Sequence, residues 1–96
     1  AGGGVTEFAL RPPLPNPTTG AMRLDFAVPH VARVTLGLYD MQGRLVATLV
    51  EGELPAGRHQ AVWNGTAGGR AAPGGVYFLR LRAAGADLSR RVVVTR

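Results

Sequence analysis

The sequence has no cysteine, no lysine, a single serine and only two histidines. Without cysteine there is neither a disulfide framework nor a thiol nucleophile, so packing alone must hold the fold together. Ser89 lies in an alternating segment and not at the strained turn that activates a nucleophilic serine. These shortages predict a protein that is not an enzyme and that carries no cofactor.

The six acidic residues are spread singly along the chain and match no metal-binding spacing of the zinc or calcium-loop type. Two weaker arrangements remain open, since Asp40 with the carbonyls of its turn, or Glu51 with Glu53, could hold Ca²⁺. The simpler interpretation makes Asp40 a turn former and leaves the two glutamates in a solvated loop. We therefore expect no metal.

Long apolar runs are also missing. No stretch approaches the roughly 20 residues of a membrane span, and no signal-peptide pattern is present. The chain opens with Ala1-Gly2-Gly3-Gly4, a composition typical of a linker. We expect residues 1–13 to be a linker remnant with the first strand, and residues 14–96 to be one domain of a larger polypeptide.

All eleven basic residues are arginine, and the formal net charge is +5. Guanidinium groups stay charged and pair bidentately with carboxylate and phosphate groups. The surplus favours acidic partners, although a solvated basic surface is the simpler interpretation.

Short alternating segments fill the chain between its 14 glycines and 7 prolines. Met22, Leu24, Phe26 and Val28 alternate with other residues, which predicts a half-buried strand. In all, the pattern predicts seven strands, at residues 5–10, 22–28, 34–39, 45–50, 58–63, 76–83 and 88–95. Seven short strands with no helical period predict an all-β fold, an Ig-like antiparallel sandwich.

Turn signals separate these strands. Asp40-Met41-Gln42-Gly43 predicts a tight hairpin turn with a positive φ at Gly43, and Gly75 is expected to need a similar backbone angle. Residues 51–57 and 64–75 are predicted to be loops. The only tryptophan, Trp63, and Tyr77 are expected to pack in the core, with a carbohydrate-stacking platform as the alternative.

Arginines are concentrated near the end of the sequence. Arg80 and Arg82 share one face of their strand, and Arg90, Arg91 and Arg96 follow on the next strand. If the two strands pair as a hairpin, these residues form a basic stripe suited to an acidic surface. Nucleic acid is not expected, because the neighbouring aromatic residues are predicted to lie on the other face or near the start of the strand.

Several short motifs occur in a fixed order, and together they resemble a known family. They are Asn16-Pro17, Leu38-Tyr39-Asp40-Met41-Gln42-Gly43-Arg44-Leu45-Val46, Leu54-Pro55-Ala56-Gly57, Trp63-Asn64-Gly65, Gly69-Arg70, Gly75-Val76-Tyr77 and the valine-rich residues 90–96. Residues 14–96 thereby resemble the C-terminal sorting domains of type IX secretion cargo, which are similar to the Ig-like domain of the flagellar hook-capping protein.

The resemblance implies a non-enzymatic domain that directs a larger exported protein through the periplasm and across the outer membrane to the cell surface. The implied partners are the outer-membrane secretion machinery, the cargo domain N-terminal to this chain and anionic lipopolysaccharide. The alternative function is an accessory Ig-like module of an extracellular enzyme, or a hook-cap-like assembly domain.

Most residues that match the motifs are expected to be structural: Tyr39, Asp40, Gly43, Arg44, Gly57, Trp63, Gly69, Gly75 and Tyr77. Recognition is expected at a second set near the end of the chain: Arg80, Arg82, Arg90, Arg91, Val92, Val93, Val94 and Arg96.

Overall fold

The computed structural model describes residues 5–96, so the first four residues of the expected linker lie outside the described residues. The strands are β1 (Ala9–Leu10), β2 (Met22–Val28), β3 (Ala32–Tyr39), β4 (Leu45–Leu54), β5 (Gly57–Trp63), β6 (Thr66–Ala67), β7 (Arg70–Ala71), β8 (Gly75–Ala83) and β9 (Ala86–Val94). Within residues 5–96 there is no helix, and hence none that is long and apolar enough to span a membrane.

Two antiparallel sheets form the layers of the molecule. One has the strand order β1-β2-β5, the other has the order β4-β3-β8-β9, and β6 and β7 form a separate small hairpin. Buried side chains from both sheets make one core, which includes Leu24, Leu36, Trp63 and Leu79. The predicted all-β, Ig-like antiparallel sandwich is confirmed.

Alternation of side chains explains which faces form the core. Met22, Leu24, Phe26 and Val28 of β2 are buried as predicted, while the residues between them are half-buried or exposed. On β8, Tyr77, Leu79 and Leu81 are buried, so Val76, Phe78, Arg80 and Arg82 point outward. Each sheet therefore has an inner apolar face and an outer face that is available for other contacts.

The first strand is shorter than the predicted residues 5–10. Only Ala9 and Leu10 pair with β2, opposite Ala27 and Phe26. Further toward the N-terminus the partner would be Pro29, which has no N–H group to donate. The pairing with β2 therefore stops after two residues.

The fourth strand is longer than predicted, and the loop expected at residues 51–57 is reduced to Pro55 and Ala56. Glu51, Gly52 and Glu53 pair with Thr35, Val34 and Arg33 and so extend β4. Pro55 and Gly57 predict the loop, but their effect is limited to the end of the segment and does not stop the pairing of Glu51, Gly52 and Glu53. Register shifts near Leu49 and Val46 mark two irregularities in the β3–β4 pairing.

Two turn predictions are confirmed. Gly43 has a φ of 82° and Gly75 a φ of 153°, and both values favour glycine. The predicted loop 64–75 is only partly irregular, because it contains the β6–β7 hairpin closed by Gly68 and Gly69.

The aromatic anchors lie in the core, so the alternative of a carbohydrate platform at Trp63 and Tyr77 is wrong. Trp63 is 1% exposed and Tyr77 6% exposed, with ring centroids 6.2 Å apart. The indole Nε1 donates to the Thr66 carbonyl at 2.9 Å, and the Tyr77 hydroxyl donates to the Pro73 carbonyl at 2.6 Å. The second contact is the tyrosine corner typical of Ig-like sandwiches.

The free edge of β9 is covered near its end by residues that come before β2. The Asn16 side chain accepts from the Val93 N–H at 3.0 Å and donates to the Arg91 carbonyl at 2.9 Å. Thr18 continues the contact, because its N–H donates to the Val93 carbonyl and its carbonyl accepts from the Thr95 N–H. This strap, residues 16–18, protects part of an edge strand that would otherwise offer unpaired backbone groups.

Candidate functional site

The arginines expected to form one stripe are divided by the register of the last hairpin. β8 and β9 pair antiparallel, with Arg82 opposite Asp87, Arg80 opposite Ser89 and Phe78 opposite Arg91. Arg80, Arg82 and Arg91 thus share the outer face of the four-stranded sheet. Arg90 is opposite the buried Leu79, so it cannot share that face, and the predicted five-residue stripe is wrong.

Arg90 and Arg96 make structural contacts instead. The Arg90 Nε donates to the Leu10 carbonyl at 2.8 Å, which ties β9 to β1 across the open side of the sandwich. The Arg96 guanidinium donates to the carbonyls of Ala72 and Gly65 and so holds the loop between β5 and β8. Both side chains complete backbone hydrogen bonding in loops and strand ends.

The three valines of the predicted recognition set lie on two different faces of β9. Val92 and Val94 are 0% and 2% exposed and belong to the core. Val93, between them, is half-buried on the outer face opposite Val76. Of the eight residues, therefore, only Arg80, Arg82, Arg91 and Val93 lie on the outer face of the four-stranded sheet.

On that face, Arg80 is committed to an ion pair. Its Nε and Nη2 donate to the two carboxylate oxygens of Asp87 at 2.8 and 2.6 Å. The hydrogen bond from Arg80 lowers the pKa of Asp87 below its ordinary value, and that to Asp87 raises the pKa of Arg80. Arg82 lies opposite Asp87, and its charge also helps to lower the pKa of Asp87. Among the described residues, Arg91 takes part in no ion pair, so it carries the uncompensated charge of this face.

Aromatic side chains also lie on this face: Phe78, which is near the start of β8 as the sequence predicts, and Tyr39 of β3. Tyr39 of β3 is opposite Phe78 of β8 on one side and Leu45 of β4 on the other. Leu45 is 55% exposed and Phe78 is 39% exposed. We call the apolar group on this outer face the outer patch: Tyr39, Leu45, Val76, Phe78 and Val93.

Sequence reasoning missed the outer patch because its members come from four strands. The period of two indicates which residues of one strand share a face, but not which residues of other strands lie beside them. The outward position of Leu45 was harder to predict, because the two irregularities in β4 break its period of two. The outward residues of β4 there are three apart: Leu45, Thr48 and Glu51. The sequence did hold one signal for the outer patch: Tyr39 and Phe78 are aromatic residues at outward positions of their strands, where polar residues are more usual.

The hairpin motif beside the outer patch is a structural turn. The Asp40 carboxylate accepts from the backbone N–H groups of Gln42 and Arg44, each at 2.9 Å, and from the Arg44 Nε at 3.0 Å. These bonds, the Arg44 N–H first, lower the pKa of Asp40. Asp40 is thus fully occupied in shaping the turn between β3 and β4.

The candidates for chemistry lie apart from one another. His30 packs edge-on against Phe8, His59 stacks on Phe26 with centroids 5.4 Å apart, and Ser89 lies on the outer face of β9. Glu51 and Glu53 point outward from β4 opposite Thr35 and Arg33. Residues 5–96 contain no group of three or more His, Cys, Asp or Glu side chains that could hold a metal ion.

The fold, the buried Trp63–Tyr77 pair and the tyrosine corner define an Ig-like β-sandwich module. Residues 14–87 match the model of the FlgD Ig-like domain family, and the chain belongs to this family. No curated protein matches the chain. The family match supports the resemblance to the hook-capping Ig-like domain and ends at Asp87, before the valine-rich residues that carry part of the resemblance to sorting domains.

Proposed function

We propose that this Ig-like module is a non-enzymatic sorting domain, which directs a larger exported protein across the outer membrane to the cell surface by type IX secretion. The observation that carries the proposal is the outer face of the four-stranded sheet. There, exposed apolar side chains lie beside Arg91, which takes part in no ion pair among the described residues. An interface needs such a combination of apolar centre and charged surroundings.

The proposal treats the export signal as a folded surface. Val92 and Val94 are core residues, and Thr95 and Arg96 make hydrogen bonds to the strap and to the loop before β8. The valine-rich end therefore serves recognition by completing the sandwich, and only Arg91 and Val93 of that segment are accessible from the outer face. Outer-membrane secretion machinery is the proposed partner, and anionic lipopolysaccharide is a second partner that the arginine surface suits.

A second candidate function is an accessory or hook-cap-like assembly domain. The specific observation in its favour is the family match over residues 14–87, which covers most of the sandwich core and the Asp40–Gly43 turn. Such a domain would also present an outer face to a partner, but it would act after export and would not be needed for export.

The test attaches the domain to the C-terminus of a reporter protein in a host with type IX secretion. Deleting residues 90–96 is not a clean comparison, because it removes Val92 and Val94 from the core. The better comparisons are the reporter without the domain and the intact fusion in the same host lacking its outer-membrane translocon.

Sorting predicts surface reporter only for the intact fusion in the competent host. Retention of a folded, intact fusion in the periplasm would contradict sorting and favour the accessory function.

A further inference from the structure

We infer that the outer patch, together with Arg91, is the docking surface of this domain, and that its partner is a folded protein surface with an apolar hollow bordered by carboxylates. The inference rests on the proposed sorting function and deepens it by naming the surface and the chemistry that the machinery must offer.

The side chains of the outer patch form a row across the sheet. Leu45, Tyr39, Phe78 and Arg91 lie in register on four adjacent strands. Because neighbouring strands are about 4.8 Å apart, this row extends over roughly 14 Å. Val76 and Val93 form the next pair along the same face. The apolar side chains are thus contiguous, unlike the single exposed residues that any surface has.

Packing over Gly37 holds this row in place before any partner binds. A Cβ at Gly37 would meet the Leu45 Cδ1 at 3.1 Å and the Tyr39 Cε1 at 3.3 Å. Both side chains therefore lie over the bare backbone of Gly37 and fill the space that a larger residue would take. A docking surface that is already ordered loses less conformational entropy on binding.

Positive and negative side chains lie at opposite ends of this outer face. Arg91 adjoins Phe78 across the sheet, and Arg82 lies two rows away. Arg91 has no ion-pair partner among residues 5–96, whereas Arg82 lies opposite Asp87 and its charge helps to lower the pKa of Asp87. On β4, at the far end of the same face, Glu51 and Glu53 are exposed. The carboxylates of the partner must then face Arg91 on β9, and this pairing of charges sets the orientation of the partner on the sheet.

The outer face of the three-stranded sheet has no such contiguous apolar row among the described residues and provides a control. Its large exposed apolar side chains, Leu14 and Val62, lie on either side of Arg23, which separates them and pairs with Asp25 at 3.3 Å. Arg58 is exposed on the same face, opposite Ala27. Val62 and Arg58 can therefore serve as matched positions for exposed apolar and basic residues of the outer patch.

The experiment uses the reporter fusion in the type IX host with single substitutions. Leu45→Glu, Phe78→Glu and Arg91→Glu change the proposed surface, while Val62→Glu and Arg58→Glu make matched changes on the other sheet. We expect surface reporter to fall about tenfold or more for the first three and to stay near the intact level for the two controls. Arg91→Lys, which keeps the charge but loses the planar fork, should be intermediate. Thermal melting of each purified domain establishes that it is folded.

Every result decides the inference. Normal delivery of the three outer-patch variants, or an equal loss in both sets, would overturn the docking surface while leaving sorting intact. No delivery of the unsubstituted fusion would overturn sorting, and the inference with it. A labelled single-stranded oligonucleotide that binds the purified domain at about 0.15 M salt, and loses binding on Phe78→Glu, would assign the face to nucleic acid instead.

Discussion

At the scale of single residues, two aspartates are held ionised by their contacts. Backbone and side-chain hydrogen bonds from Arg44 lower the pKa of Asp40, and the hydrogen bond from Arg80 lowers that of Asp87, from an ordinary value of 3.8. A carboxylate with a lowered pKa in the folded state stabilises the protein above its unfolded pKa. That stabilisation is lost as the pH falls through the folded pKa.

We therefore predict that the free energy of unfolding decreases as the pH falls below about 4, and that Asp40→Asn and Asp87→Asn each reduce this decrease. Urea denaturation at a series of pH values from neutral to strongly acidic measures it. The control is Glu51→Gln, since Glu51 is an exposed carboxylate with no ion pair in the described part of the chain. An unchanged pH profile in both aspartate variants would refute the assignment.

The two tyrosines give a second prediction, because only one of their hydroxyl groups has a hydrogen-bond partner within the described residues 5–96. The Tyr77 hydroxyl donates to the Pro73 carbonyl, whereas that of Tyr39 makes no hydrogen bond within residues 5–96. Tyr77→Phe should lower the free energy of unfolding by about 1 kcal/mol, and Tyr39→Phe should leave it nearly unchanged. Equal values for the two variants in urea denaturation would contradict a tyrosine corner at Tyr77.

At the scale of elements, the strap over β9 is the least expected feature. Asn16 joins Arg91 and Val93 although 75 and 77 residues separate them in sequence. The Asn16 side-chain amide takes the place of a neighbouring strand, because it donates to the Arg91 carbonyl and accepts from the Val93 N–H of β9.

Asn16→Ala should therefore cost about 1–2 kcal/mol of stability and leave a β9 edge open to pairing between molecules. Urea denaturation and concentration-dependent light scattering test both effects. Gln60→Ala is the matched control, since Gln60 is exposed on β5 and its side chain makes no hydrogen bond among the described residues. A variant as stable and monomeric as the control would show that the strap is dispensable.

The strap also marks where sequence reasoning stops. Alternation predicted the inward faces of β2, β3 and β8, and turn chemistry predicted the Asp40–Gly43 turn, because those signals are local. Asn16-Pro17 stood out in the sequence only as a family motif, since the partners of Asn16 and Thr18 lie at the other end of the chain. The outer patch depends in the same way on register between strands and on the irregular pairing of β4, neither of which a linear pattern encodes.

At the scale of the whole molecule, most motif residues build the sandwich, and the outer face of the four-stranded sheet is the one we propose for recognition. The central claim is that a partner reads this folded face and not the terminal sequence. A sandwich of this size has a stability of about 5–10 kcal/mol, and loss of a buried tryptophan side chain costs about 3–5 kcal/mol. Trp63→Ala therefore removes a large share of that stability while leaving residues 88–96 unchanged, and thermal melting of the purified variant establishes whether it is unfolded at the temperature of the assay.

The most direct measurement is the surface-delivered fraction of the reporter fused to the intact domain and to its Trp63→Ala variant, in the type IX host. Periplasmic fractions are probed in parallel so that degradation is distinguished from retention. The account predicts efficient delivery of the intact fusion and retention of the full-length variant in the periplasm. Equal delivery of the two fusions would contradict it, because the terminal sequence alone would then be the signal.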